Sequence, residues 1–158
     1  MTLSHVSADG RPRMVDVGHK EVTQRVAVAE GTIRLSHDTL AEIARNTGPK
    51  GDVLTTAELA GVMAAKRTAE LIPLCHPVPL DSVVVEASLE HDPPAVRVRA
   101  TARATGRTGV EMEALTAVAV SLLTVYDMAK AMDRAMELGT IHLLAKAGGQ
   151  SGDWRRPA

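Results

Sequence analysis

The sequence predicts one α+β domain on the ferredoxin-like, or split βαβ, plan: an antiparallel β-α-β-β-α-β sheet with helices on one face and one extra short helix. Three observations point there. Residues 83–89 and 96–104 alternate apolar and polar side chains, the period of half-buried strands, and HDPP at 91–94 makes the turn between them. Apolar segments with helix-start signals stand on both sides of that hairpin. A first strand at 25–36 and a last one at about 138–145 complete the order. No internal repeat or linker interrupts the 158 residues, a length that suits a single domain, 1–158, with its own core.

Each element has its own signal. Residues 1–20 and 148–158 are expected to be loop-rich or partly ordered. RVAVAEGTIRLS, at 25–36, reads as a strand with a break at Gly31. Residues 39–46 read as the short extra helix, with Asp38 as N-cap and Gly48 past its end. After the loop GPKGD, Thr55 and Glu58 have capping-box spacing, and the helix runs to about Leu71, where Pro73 stops it. VRVRATARA places Arg97, Arg99 and Arg103 on one strand face. Thr108 and Glu111 repeat the capping-box spacing and open a helix to about Met136. Its apolar run at 114–126 is too short to span a bilayer and reads as a buried helix.

Composition excludes several function classes. There is no Phe, one Trp and one Tyr, so the core must use small aliphatic side chains, and a base-stacking nucleic-acid platform cannot be built. The net charge of −1 argues against a general nucleic-acid binder or a polybasic membrane module, but allows a local cationic pocket. One cysteine excludes an intrachain disulfide and fits a reducing, cytoplasmic compartment. MTLSHVSADGRPR has no apolar core of the kind a secretory signal needs.

The third helix carries the most chemistry. Glu113, Thr116, Thr124 and Asp127 fall on one stripe, with Lys130 and Arg134 at its edge and Glu111 nearly opposite. Either the stripe is solvated, or it lines a polar cleft in which Asp127 and Lys130 pair one turn apart and tune each other for acid–base work. Glu113 and Asp127 are separated by roughly 21 Å of helix, so one small ligand cannot touch both within one chain. If both serve a site, that site is shared between copies of the chain. Lys66 continues a stripe with Leu59 and Met63 and either snorkels or meets an anion. Lys50 is a glycine-flanked loop lysine without Walker spacing.

Cys75 and His76, in LIPLCHP, are adjacent and point to opposite faces if the segment is extended, which argues against a Cys–His dyad or a shared metal. The other histidines show no ligand spacing, so no metal site is expected. Cys75 reads as a packed small hydrophobe and His76 as a hydrogen-bonding ligand contact.

KGDVLTTAELAGVMAAKRTAELIPLCHP (50–77) and TGVEMEALTAVAVSLLTVYDMAKAMD (108–133) resemble the two signature blocks of the MoaC family, and MVDVGHK (14–20) and KAGGQSGD (146–153) resemble its flanking motifs. The resemblance covers nearly the whole chain. It implies a phosphorus–oxygen lyase of molybdenum cofactor biosynthesis that converts 3′,8-cyclo-7,8-dihydro-GTP to cyclic pyranopterin monophosphate and pyrophosphate. It also implies a ferredoxin-like fold and a homohexamer, a trimer of dimers with sites at dimer interfaces. Asp127, Lys130 and Lys50 match catalytic positions. Leu74, Cys75, His76, Glu111, Met112 and Glu113 match substrate contacts, Lys66 and Arg67 fit triphosphate binding, and Lys20 and Lys146 fall at pocket edges. No cofactor is required, although magnesium can accompany the polyphosphate. Gln150 and Ala147 depart from the family pattern, which commonly has a lysine and a small hydroxyl residue there. The competing readings are a nucleotide-binding module without turnover and a structural oligomer without a ligand.

Overall fold

The computed structural model describes residues 9–46 and 51–157. Its elements run β1 (Thr23–Arg34), α1 (His37–Arg45), α2 (Val53–Ala65), α3 (Thr68–Leu71), β2 (Ser82–His91), β3 (Pro94–Gly106), α4 (Glu111–Ala129), β4 (Glu137–Leu138), β5 (His142–Ala147) and β6 (Trp154–Arg155). The sheet order is β2-β3-β1-β5-β6, every pairing is antiparallel, and β4 also pairs with β1. Set aside α1, α3 and the two-residue strands, and the ferredoxin-like β-α-β-β-α-β order remains.

Strand alternation decides the layers. Ala27, Ala29 and Ile33 of β1, and Val96, Val98, Ala100 and Ala102 of β3, are buried together with Ala114, Ala117, Val118, Leu122 and Val125 of α4. Each larger aliphatic chain fully removed from water contributes about 1.5–3 kcal/mol. Because most of these residues are small, the layers approach closely. A β-carbon on Gly61 of α2 would stand 2.3 Å from Ser121 Oγ on α4. That hydroxyl donates to the Ala57 carbonyl at 2.8 Å, tying the two helices together.

The other sheet face carries polar partners. Glu30 of β1 is 6% exposed, and Arg99 Nη2 donates to its Oε2 at 2.7 Å. Arg97 bridges Glu30 and Glu90. The arginine face expected from VRVRATARA is therefore neutralised in part by carboxylates of the neighbouring strands.

Several expected boundaries move, each for a local reason. Gly31 does not break β1; it pairs with Val98, and a side chain there would strike Val118 and Leu122 of α4. The cap of α1 is Ser36, whose Oγ accepts from Thr39 N, not Asp38, and Asn46 in the left-handed region ends the helix before Gly48. Asp52 caps α2 by accepting from Thr55 N, while Glu58, the expected capping partner, accepts from Ala87 N on β2. The α2 helix ends at Ala65, and Lys66 and Arg67 form the joint before α3. Thr108 does not cap α4, whose N-cap is Val110 without a side-chain bond, and the helix stops at Ala129, leaving Arg134 beyond it. The last strand is split into β4 and β5, and Trp154–Arg155 adds a strand in a segment expected to be loop.

Over Glu111–Ala129, α4 is long and apolar enough to cross a membrane by length and composition. Its burial against β1, β3 and α2 identifies it as the core helix.

Candidate active site

The turn from β3 into α4 organises the site. Residues 106–110 bring two cavities together, and Thr108, Gly109 and Glu111 line both. The first, about 470 Å³, is also lined by Ile72, Leu74, Cys75, His76 and Met112 and is largely apolar. Its wall is a turn, closed by Cys75 N donating to Ile72 O at 3.1 Å. Cys75 and His76, which follow that turn, both line the cavity, while the Cys75 thiol reaches Glu113. The Glu111 carboxylate folds back over Gly109, where a β-carbon would lie 1.9 Å from its Oε2.

The second cavity, about 340 Å³, is cationic. Lys20, Arg25, Arg107 and Lys146 line it, with Ala147, Gly148, Gln150 and Ser151 from the end of β5 and the loop after it. Arg25 is 8% exposed, and its guanidinium donates to the carbonyls of Gly106 and Arg107 at 3.2 and 3.3 Å. Arg107 Nε donates to Lys20 O at 3.0 Å. Lys146 Nζ lies 3.6 Å from Glu111 Oε1 and also bonds Ser151 Oγ. Gln150 and Ala147, the two departures from the family pattern, both face this cavity.

Glu113 sits on the other side of the helix start. It is 2% exposed, accepts from Cys75 Sγ at 3.8 Å through Oε1, and its Oε2 has no partner. Burial pushes its carboxyl above the usual range, and nearby Glu111 adds to the shift. Burial, then the charge of Glu113, raises the Cys75 thiol as well. A thiol so placed is a poor nucleophile. A third cavity, about 290 Å³, is lined by Lys66, Arg67, Glu70 and Glu113 among others. The stripe of Leu59, Met63 and Lys66 faces outward, since α2 buries its small residues instead.

At the far end of α4, Lys130 Nζ donates to Asp127 Oδ1 at 2.7 Å, and both side chains are more than half exposed. That hydrogen bond, with the carboxylate charge, raises the Lys130 pKa. The stripe is thus neither wholly solvated nor wholly a cleft: Glu113 and Thr116 are buried and Asp127 is exposed. Lys50 lies outside the described residues. Among the described residues, no three His, Cys, Asp or Glu side chains gather as a metal set.

The structure therefore gathers Leu74, Cys75, His76, Glu111 and Met112 at one cavity, Glu111, Lys20 and Lys146 at the second, and Lys66, Arg67 and Glu113 at the third. Asp127 and Lys130 stand apart, as helix geometry requires. Sequence reasoning missed Arg25 and Arg107. The signal was available for one of them: in RVAVA, Arg25 shares the inward parity of Ala27 and Ala29, an unusual place for a guanidinium.

Fold and cavities define a ferredoxin-like α+β domain with a cationic recess beside a largely apolar one. The chain belongs to the MoaC family, whose model matches residues 14–149. It is 58% identical over 152 residues to the cyclic pyranopterin monophosphate synthases of Brucella ovis and Brucella melitensis biotype 2, covering 96% of this chain and 92% of each relative. The Brucella canis protein of the same name is 57% identical over the same span.

Proposed function

We propose that this chain is a cyclic pyranopterin monophosphate synthase, a lyase of molybdenum cofactor biosynthesis. It would convert 3′,8-cyclo-7,8-dihydro-GTP to cyclic pyranopterin monophosphate and pyrophosphate. The observation that carries the reading is the 58% identity to synthases over 96% of the chain. The geometry adds what such a substrate needs: an apolar recess for a fused ring and, sharing its rim, cations for a polyphosphate.

In this reading His76 and the polar groups around Leu74, Cys75, Met112 and Glu113 orient the ring. Asp127 and Lys130, with Lys50, move the protons that ring opening and pyran closure require. The hydrogen bond and charge of Asp127 raise the Lys130 pKa, so the pair enters the reaction as ammonium and carboxylate, and loss of the Asp127 charge would make the ammonium a better acid. Phosphate cyclisation forms a bond from a ribose hydroxyl to the α-phosphorus and breaks the bond to the β-phosphate. Cations, Lys66 and Arg67 among the candidates, would stabilise the departing pyrophosphate. No cofactor is proposed; magnesium would arrive with the polyphosphate.

The roughly 21 Å of helix between Glu113 and Asp127 supports a site completed by a second copy of the chain. A homohexamer with sites at dimer interfaces, in the cytoplasm, completes the proposal. The test is single-turnover incubation with 3′,8-cyclo-7,8-dihydro-GTP, following both products. Wild type should release them in equal amounts. Asp127→Asn should lose at least about a hundredfold in rate, the usual scale for a missing acid–base group, while keeping the oligomer. Wild type that binds substrate without forming either product would leave only a binding module, and near-normal turnover in Asp127→Asn would remove that residue from the mechanism.

A further inference from the structure

The α4 helix runs out into a turn that begins at Lys130 and leads back into the core. Ala129 and Met136, at its two ends, are buried at 0% and 5% exposure, and six residues join them. Five of the six, Lys130, Ala131, Met132, Arg134 and Ala135, are exposed, and Asp133 is half-buried. Packing of the five exposed side chains therefore does little to fix the course of the backbone. Hydrogen bonds do it instead. Met132 N and Asp133 N both donate to Ala129 O, at 2.9 and 3.2 Å. Tyr126 Oη donates to Arg134 O at 3.3 Å, which folds the turn against its own helix. Asp133 ties it to a different element. Its Oδ2 accepts from Ser36 N at 2.8 Å and its Oδ1 from Ala135 N at 2.9 Å. Ser36 is the N-cap of α1, so the exit of one helix is fastened to the entry of another.

We infer that Asp133 is a positioning residue for Lys130: by fastening the turn after α4 to α1, it sets the Asp127–Lys130 pair in place before substrate arrives. The inference rests on the proposed part of Lys130 in proton transfer.

The pair does little to hold its own geometry. Lys130 and Asp127 are 54% and 58% exposed. An exposed ion pair one turn apart gains little over two solvated charges and must still restrain two side chains. Asp127 stands inside α4, where the helix fixes its backbone on both sides. Lys130 is the C-cap, so the helix fixes one side and the turn fixes the other. A carboxylate that accepts from two backbone N–H groups makes the stronger, charge-assisted kind of hydrogen bond. Without it the turn would separate from α1, and Lys130 would spend less time on Asp127. Such a displacement matters to chemistry, since misplacing a reacting group by about 1 Å can cost about a hundredfold in rate.

Two readouts on the purified protein test this. The first is competitive acetylation with acetic anhydride across pH, read by mass spectrometry on the Lys130 peptide and normalised to the other lysines. Only the free amine reacts, so an ammonium held by Asp127 reacts late. In Asp133→Ala the onset for Lys130 should move to lower pH. The second is single turnover of 3′,8-cyclo-7,8-dihydro-GTP. The rate at saturating substrate should fall about tenfold or more, with the half-saturating concentration unchanged within about twofold. Asp81→Ala, which loses an exposed carboxylate bond to Thr105 at the start of β2, should change neither readout. Melting curves identify a variant that fails to fold. Asp133→Asn keeps the shape but turns an amide N–H toward one of the two donors. It should move both readouts the same way, and it carries the test if Asp133→Ala does not fold. Unaltered Lys130 reactivity in the folded variant overturns the positioning role. With wild type turning over, so does an unaltered rate or a loss confined to substrate affinity. No turnover by wild type, with earlier acetylation of Lys130 in the variant, removes the synthase reading and leaves Asp133 as the residue that places Lys130.

Discussion

Cys75 Sγ lies 3.8 Å from Glu113 Oε1, so a thiol donates to a carboxyl that is 2% exposed and has one oxygen without a partner. Burial favours the protonated form of Glu113, and its folded pKa stands above the ordinary value of 4.5. The folded state therefore holds the proton more tightly than the unfolded chain does. Wild type should lose stability relative to Glu113→Gln as pH rises from 4.5 through the raised folded value, and the difference should persist above it. Urea unfolding of both proteins from about pH 4 to about pH 8 checks this. A difference that does not change with pH would show that the carboxyl is not destabilised by its burial.

Close packing of α2 on α4 supplies a second test. Gly61→Ala gains about 1 kcal/mol of helix propensity but inserts a methyl 2.3 Å from Ser121 Oγ and 3.1 Å from Ala117 O. Overpacking of about 1–3 kcal/mol, together with the loss of the Ser121 bond to Ala57 O as the hydroxyl turns away, outweighs that gain. The expected result is net destabilisation of about 1–2 kcal/mol by denaturant titration. Adding Ser121→Ala should recover part of it. A more stable Gly61→Ala would mean that the helices can separate without penalty.

The open sheet face supplies the third. Glu30 receives both Arg97 and Arg99. Glu30→Gln keeps the shape but leaves two guanidiniums facing a neutral amide, which should cost about 1–3 kcal/mol in unfolding free energy. The arginines remain partly solvated, which keeps the cost at this scale. The loss should shrink at high salt, since the excess positive charge is then screened. A loss independent of salt would point to packing instead of charge.

The fold was legible because its main signals are periodic. The β2–β3 hairpin, the long apolar helix and the element order follow from alternation and breaker residues. Boundaries were less legible because caps compete locally. Asp52 outbids Thr55 for the start of α2, since a carboxylate accepts from a backbone N–H more strongly than a hydroxyl does, and Glu58 finds a better partner across the fold in Ala87 N. The helix stripe correctly kept Glu113 apart from Asp127, because rise per residue is fixed. The cationic cavity was only half visible. Its residues come from four separate stretches around Lys20, Arg25, Arg107 and Lys146, and no spacing rule joins positions brought together by strand pairing. The turn at Ile72–Cys75, which brings Cys75 and His76 to the border of the apolar cavity, was likewise not legible from alternation.

The scarcity of aromatic residues has an optical consequence. Trp154 is the chain's only indole, and β6 places it directly across from Lys146, with 40% of its surface in solvent. Red-edge excited emission from this protein therefore originates at the border of the cationic recess and nowhere in the interior. Its wavelength and quenching report on one β5–β6 pairing, while the aliphatic core stays dark.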